Sequence, residues 1–392
     1  MLKVLVVFGT RPEAIKMAPL VRELKKHRDQ LDCKVAVTAQ HREMMDQVLR
    51  LFELVPDYDL NVMRANQTLF ELTGRALAGL REVLQQEKPD LVLVHGDTTT
   101  TFVGALAAYY LQIPVGHVEA GLRTYNKYSP FPEEINRRLT GALADLHFAP
   151  TAQAKDNLLR EGVPAESVLV TGNTVIDALL ETVRQDYTFS DPVLKKIDFT
   201  RRRVLVTTAH RRENLGAPLE NICLALKDIA LAYPDVDVVF PVHKNPLVRQ
   251  VVEKVLRGVE RVHLIEPLDY QPFAHLIKNS YLVLSDSGGL QEEAPALGKP
   301  VLVLRDTTER PEAVEAGTVR LVGAAQEAVC AAARRLLDDR RDYARMANVV
   351  NPYGDGYASR RIVQGIRVKF SLSQEPVDEF ALPETFFPTI KE

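Results

Sequence analysis

The sequence predicts an α/β protein built from two doubly wound, Rossmann-like domains that face each other across a cleft. Three observations carry that reading. Short β-branched apolar runs alternate with longer amphipathic segments along almost the whole chain, the pattern of parallel sheets covered on both faces by helices. At 392 residues the chain exceeds one ordinary core. The strand–helix series also runs twice, with the division falling within 172–202.

In the first series, strands are expected at "KVLVVFG" (3–9), "CKVAVTA" (33–39), "LVLVHG" (91–96) and "VGHVEA" (115–120). Between the first two lies "EAIKMAPLVRELKKH" (13–27), apolar at helical spacing. Pro12 suits the first helical position, which fixes the first turn just after Gly9-Thr10-Arg11. The second series reads "RRVLVTTAHRREN" (202–214), "VDVVFPVHKN" (236–245), "RVHLIEPL" (261–268), "YLVLSDSGG" (281–289) and "PVLVLRDTTERPE" (300–312). These give an amino-terminal domain over 1–175 and a carboxyl-terminal domain over 195–352. The segment "SLSQEPVDEFALPETFFPTIKE" (371–392) has no clear period and is expected to be a partly disordered tail.

Composition narrows the function. A hydrophobic content of 46% and a charged content of 26% are those of a soluble globular protein. A formal charge of −3 offers no electrostatic footprint for nucleic acid or an anionic membrane. Cys33, Cys223 and Cys330 are far apart and odd in number, so neither a disulfide framework nor a zinc site is indicated. The start "MLKVLVVFGTRPE" is a first strand rather than a signal peptide, and no apolar run approaches a membrane span. A cytoplasmic protein is expected. G-x-G-x-x-G after the first strand, a Walker A sequence and a Gly-x-Ser-x-Gly elbow are all missing. "DYD" (57–59) has the form of a metal-binding Asp-x-Asp, but its proline-flanked setting reads as a loop. No metal site is expected.

Polar residues gather instead at strand ends, where open parallel sheets bind ligands. Arg11, Asp97, Glu119, His210, His243, Ser287 and Arg310 each follow an apolar run. Any one alone reads as solvent-facing; the recurrence of acids and bases points to a shared site. "SDSGGLQEEA" (285–294) ends a strand and restarts at once as a helix. Unpaired N–H groups and two glycines there would suit a phosphate, and an ordinary capped turn explains the same ten residues. In "VHGDTTTTF" (94–102) Asp97 precedes four threonines that could simply cap a helix. "GHVEAGLRTYNKYSPFPEEINRR" (116–138) carries Glu119, Arg123, Glu133, Glu134 and Arg137 around a proline-rich loop, either a solvated face or a cluster for proton transfer. "TTAHRREN" (207–214) places His210, Arg211 and Arg212 where a diphosphate could be clamped.

Together "FGTRPEAIKMAPL", "TAQHREMMDQVL", "VLVHGDTTTT", "GHVEAGLRT", "SPFPEEINRRLTG", "TGNTVIDAL", "HRREN", "SDSGGLQEEAP" and "GKPVLVLRDTTERPEAVEAGTVRLVG" resemble the non-hydrolysing UDP-N-acetylglucosamine 2-epimerases, from Lys3 to about Arg367. The resemblance implies the GT-B architecture shared with nucleotide-sugar glycosyltransferases and glycogen phosphorylase, generally as a homodimer. It implies that "GYASRRIVQGIRVKF" (356–370) crosses back onto the first domain. It also implies interconversion of UDP-N-acetylglucosamine and UDP-N-acetylmannosamine, with no cofactor. Asp97, Glu119, Glu133 and His210 are then the catalytic residues. Arg11, Lys16, His210, Phe273, Ser287, Gly288, Gly289, Glu293 and Arg310 are the substrate and UDP contacts. Phe273 on its own residues reads as core, because "PFAHLI" has an amphipathic period.

Many bacterial members of that family bind a second UDP-N-acetylglucosamine as activator. The matching positions are Gln40, Glu43, Asn66, Glu133, Arg211 and His243. Glu43 and Asn66 depart from members with Gln and Arg there, which weakens attraction to a diphosphate. Activator control is therefore expected in altered form. Three rivals remain open at this point: a glycosyltransferase of the same architecture, a hydrolysing epimerase, and a nucleotide-sugar sensor that does not turn over.

Overall fold

The computed structural model describes residues 1–39, 42–64 and 66–382, the side chains of 42–44 excepted. The chain divides into two units, one of Met1–Glu181 with Tyr353–Ala381, the other built on Thr182–Pro352.

The first unit opens with β1 (Leu2–Phe8), α1 (Arg11–Lys26), β2 (Leu31–Val37), α2 (Arg42–Leu51) and β3 (Tyr58–Asp59). It continues through α3 (Leu69–Glu87), β4 (Leu91–His95), α4 (Thr99–Tyr110), β5 (Val115–Val118) and α5 (Glu133–Leu143). Then come β6 (Leu146–Ala149), α6 (Ala152–Arg160), β7 (Val168–Val170) and α7 (Thr174–Thr182). Its seven strands form one parallel sheet in the order β3-β2-β1-β4-β5-β6-β7. Val6 of β1 stands beside Val35 on one side and Leu93 on the other, and the strand is buried on both faces from Val4 onward. This is why its sequence runs apolar without alternation.

The second unit contains β8 (Arg203–Thr208), α8 (Ala217–Ala232), β9 (Val236–Pro241), α9 (Pro246–Leu256), β10 (Val262–Ile265) and α10 (Tyr270–Asn279). β11 (Leu282–Ser285), α11 (Leu290–Ala296), β12 (Val301–Val303), α12 (Pro311–Ala316), β13 (Val319–Leu321), α13 (Gln326–Asp338) and α14 (Arg340–Ala347) complete it. The sheet is parallel again, in the order β10-β9-β8-β11-β12-β13. Strand order thus reverses between β1 and β4 in one sheet and between β8 and β11 in the other. Such reversals open a crevice at the strands' carboxyl ends. After its second pass the chain returns to the first unit as α15 (Ala358–Lys369), which packs on α1.

Several local expectations change. α1 begins at Arg11 with Thr10 as N-cap, so Pro12 is its second residue rather than its first. The "DYD" stretch is not a loop: Tyr58–Asp59 pairs with β2 at the sheet edge. Asp57 there accepts the Val35 N–H at 2.9 Å and pairs with Lys34 at 3.2 Å, an edge-closing role. Strands β3, β6, β7 and β13 have two to four residues, too short for periodicity to reveal. Within 371–382, expected as part of a disordered tail, Glu379 and Phe380 are tied to β7, and Ser373, Glu375 and Asp378 to α15. The Phe380 N–H donates to Val170 O at 2.8 Å, and the Glu379 carboxylate accepts the Val170 N–H at 2.8 Å. The remainder of that tail, 383–392, lies outside the described residues.

Two packing features yield stability predictions. Gly121 has φ of 90°, and a Cβ there would sit 2.1 Å from the Ala154 carbonyl oxygen. A left-handed backbone and a clash with immobile main chain both oppose any side chain. Gly121→Ala is expected to cost at least about 2 kcal/mol in urea unfolding; an unchanged midpoint would contradict this packing. Asp177 is buried and accepts the N–H groups of Ala358 and Ser359 at 3.2 and 2.7 Å, so it caps α15. Burial pushes its carboxyl up to about 6, against the opposing effect of those hydrogen bonds. The folded protein therefore holds this proton where the unfolded chain has released it. Between roughly pH 4 and 6 this group makes stability fall as pH rises, by about 3 kcal/mol in all. In Asp177→Asn that slope should vanish from a series of melts across the same range.

Candidate functional site

In the first unit the loops beyond β1, β4 and β5 converge on a set of carboxylates. Glu119 follows β5 directly and has φ of 60°, a left-handed conformation that a non-glycine residue adopts at a cost of roughly 1–2 kcal/mol. Strain of this kind persists where surrounding contacts over-determine it, and clusters at functional sites. Those contacts are present. Lys16 of α1 forms an ion pair with Glu119 Oε2, and Asn173 Nδ2 donates to the same oxygen at 2.8 Å. His95 Nε2 lies 3.8 Å from it. Burial depresses the His95 ring to about 4, so it stands neutral beside the carboxylate.

Asp97, at the end of β4, accepts from Arg137 Nη2 at 2.5 Å, while Asn136 Nδ2 donates to its carbonyl at 3.0 Å. Its carboxyl is pushed above the ordinary range by burial, against Arg137 but with help from the neighbouring Glu119 and Glu133. Close carboxylates cannot all ionise freely. The structure therefore brings the sequence-predicted Lys16, Asp97, Glu119 and Glu133 into one electrostatic neighbourhood. Arg11 is the first residue of α1, on the adjoining loop.

That loop is fixed by a residue the sequence reading passed over. Glu13 is 2% exposed and accepts from Gly9 N (3.0 Å), Thr10 N (2.7 Å), Thr98 Oγ1 (2.7 Å) and Thr101 Oγ1 (3.1 Å). It therefore joins the Arg11 loop to the Asp97 loop. The threonine run does cap α4, since Thr98 Oγ1 accepts the Thr101 N–H. Other members of the charge run are structural. Glu134 accepts the N–H groups of Thr124 and Tyr125, and Arg123 grips Glu161 through two hydrogen bonds.

In the second unit the comparable place lies beyond β8 and β11. Asp286 is fully buried; its Oδ2 accepts from His210 N (2.8 Å), Arg211 N (2.8 Å) and Asn214 Nδ2 (3.0 Å). Its Oδ1 is 3.4 Å from His210 Nδ1. Asp286 thus shapes the His210–Arg211 turn and faces one ring nitrogen of His210. The His210 ring stacks on His243 with centroids 5.2 Å apart. Burial lowers the proton affinity of His210, partly offset by Asp286 and reinforced by His243 and Arg211. Asp286 stood within "SDSGG", and only its position directly after a strand could have marked it.

The two glutamates after Gly288-Gly289 differ in role. Glu292 is buried and binds Arg310 Nε at 2.6 Å, so its charge is compensated; Glu293 is half-buried one residue on. A Cβ on Gly288 would lie 2.6 Å from Glu309 Oε1, so a side chain there would require that carboxylate to move. Ser287 is half-buried, its N–H held by Ser285 Oγ at 2.9 Å, and Gly289 is exposed. Phe273 is half-buried against a cluster containing Phe189, Val206 and Leu276. Among the expected activator positions, Gln40 and the Glu43 side chain lie outside the described residues, and Asn66 is exposed with φ of 55°. Arg211 Nη2 is 3.7 Å from Glu309.

Comparison with known proteins adds an independent line. The UDP-N-acetylglucosamine 2-epimerase family model matches residues 22–367. The UDP-N-acetylglucosamine 2-epimerase of Bacillus subtilis is 59% identical over 379 residues, covering 97% of this chain and 98% of the relative. The crystal structure of UDP-GlcNAc 2-epimerase from Neisseria meningitidis bound to UDP-GlcNAc superposes with a TM-score of 0.83 at 54% identity, over 93% of this chain and 99% of that one. The S. aureus MnaA–UDP co-structure gives a TM-score of 0.87 at 54% identity, over 97% and 100%. The two doubly wound sheets have the GT-B-like fold of these neighbours. With a matching family model, relatives alike over nearly their full length and the same two-sheet fold, the chain belongs to the UDP-N-acetylglucosamine 2-epimerase family.

Proposed function

We propose that the protein interconverts UDP-N-acetylglucosamine and UDP-N-acetylmannosamine by reversible elimination of UDP, without net hydrolysis and without a cofactor. The observation that carries this reading is the gathering of Asp97, Glu119 and Glu133 around Lys16 at the carboxyl ends of one sheet. Carbon 2 of the sugar bears an unactivated C–H, so direct carbanion inversion is too costly. Elimination avoids it. A carboxylate takes the C2 proton, the C–H electrons form a C1–C2 double bond, and the C1–O bond breaks with its electrons leaving on UDP. The 2-acetamidoglucal is then protonated at C2 from the opposite face while UDP returns to C1. Two acid–base groups of unequal proton affinity suit that sequence. Glu119 is held by a lysine and an amide, whereas burial lets Asp97 keep a proton more readily than usual.

In this reading the second unit holds the leaving group. His210, Arg310 and the backbone of Ser287, Gly288 and Gly289 meet the diphosphate, with Arg11 and Lys16 near the substrate. Glu293 accepts from the ribose hydroxyls and Phe273 bears on the uracil. A ring of lowered proton affinity at His210 takes up a proton as a dianion arrives, which is the requirement for supporting UDP departure. The Neisseria and S. aureus relatives, with UDP-GlcNAc and UDP bound, support a nucleotide-sugar ligand here. The working form is a cytoplasmic homodimer supplying N-acetylmannosamine units for cell-surface polysaccharide. A second UDP-N-acetylglucosamine acts as an altered activator beside Gln40, Glu43, Asn66, Glu133, Arg211 and His243.

Incubation with UDP-N-acetylglucosamine in deuterated water is expected to place deuterium at carbon 2 of an intact mixture of the two UDP-sugars. Release of free N-acetylmannosamine would instead establish hydrolysis, acceptor-dependent transfer a glycosyltransferase, and an unlabelled substrate a sensor. Glu119→Gln and His210→Asn should each lower the exchange rate by roughly a hundredfold or more with unchanged melting temperature. Near-normal exchange in either variant would remove that residue from the mechanism.

A further inference from the structure

Glu119 is held by a residue with no part in the chemistry proposed above. Asn173 lies in the loop between β7 and α7 and is 2% exposed. It works in three directions. Its Nδ2 donates to Glu119 Oε2 at 2.8 Å, its Oδ1 accepts the Val175 N–H at 3.1 Å, and its own N–H donates to Tyr353 O at 2.7 Å. The Val175 bond closes the turn that opens α7. The Tyr353 bond ties the loop to the chain where it re-enters the first unit. Gly172 and Gly354 make that approach close: a Cβ on Gly172, at φ of 83°, would lie 3.3 Å from Gly354 Cα.

We propose that Asn173 is a positioning residue for Glu119, a role that rests on the epimerase reading for its catalytic consequence. The amide fixes the carboxylate's direction and, as a donor, favours its ionised form. A backbone-anchored amide does this without adding charge, so Lys16 remains the cation at that oxygen. Among the described residues, the charged and titratable groups placed near Glu119 include Lys16 from α1, His95 from β4 and Asp97 beyond β4, with Arg137 and Glu133 acting on Asp97. None of these comes from the β7–α7 loop, so Asn173 gives that loop its hold on the carboxylate.

Asn173→Ser separates the two side-chain functions. Serine can still close the turn at Val175 but is too short to reach Glu119. With UDP-N-acetylglucosamine as substrate, kcat should fall roughly ten- to hundredfold while KM stays within about twofold. Asn173→Asp, nearly isosteric, should cost more than the serine variant at neutral pH because it sets a second carboxylate against Glu119. Independently of turnover, side-chain carboxyl NMR, with Glu119 assigned through Glu119→Gln, should show Glu119 titrating at higher pH in Asn173→Ser than in the unaltered protein. An unmoved Glu119 titration overturns the positioning role whether or not the protein epimerises. Full exchange by the unaltered protein beside an undiminished kcat in Asn173→Ser overturns that role alone and leaves the epimerase reading intact.

Discussion

A carboxylate removed from water must find donors inside the protein, and that requirement organises the loops of both units. An unsatisfied buried charge costs several kcal/mol, more than most single packing contacts provide. Glu13 meets it with two backbone N–H groups and two hydroxyls, and so welds the loops after β1 and β4. Asp177 meets it with the first N–H groups of α15, which fixes where the returning helix starts. Asp286 meets it with consecutive N–H groups at His210 and Arg211. In each case the acid folds a turn around itself. The side chains that project from those turns, Arg11, Asp97 and His210, inherit their placement from a neighbour rather than from their own packing.

This explains why the sheets were easy to read and their edges were not. Continuous apolar runs such as "KVLVV" and "YLVL" reveal buried parallel strands because burial on both faces removes any alternation. Strand-end polar residues could be named from position alone, since the doubly wound topology sends them to a common edge. Glu13 and Asn173 escaped because both are read locally as helix-start residues, and both do bond there: Glu13 to the N-cap Thr10 of α1, Asn173 to the Val175 N–H of α7. Their second job, gripping a residue 85 or 54 positions away, leaves no local trace. Short strands such as β7 escaped for a different reason: three residues hold too little pattern to separate from a loop.

The charge run at 116–138 shows how one stretch divides between scaffold and chemistry. Arg123 is buried against Glu161, Glu134 is 1% exposed and ties down the N–H groups of Thr124 and Tyr125, and Arg137 reaches back to Asp97. Of its five charged residues singled out from the sequence, Arg123, Glu134 and Arg137 are thus engaged in holding neighbouring loops. Adjacent Glu133 and Glu134 have different surroundings, because successive helical residues point about 100° apart: Glu134 is buried and Glu133 half-buried. Sequence alone treats the pair as equivalent.

The difference between Glu119 and Asp97 follows from the same accounting of donors. Lys16 pairs with Glu119 and Arg137 with Asp97, and the Lys16 charge acts on Asp97 as well. Arg137 is shared with Glu134, at 3.4 Å from its second nitrogen, so its charge is divided between two acids. Glu119 adds the Asn173 amide to its lysine, whereas Asp97 gains two acidic neighbours. Burial raises the proton affinity of Asp97, with Arg137 and Lys16 acting against it and Glu119 and Glu133 adding to it. Two carboxylates beyond adjacent strands thus sit among different partners: a lysine and a backbone-anchored amide at Glu119, an arginine shared with Glu134 at Asp97.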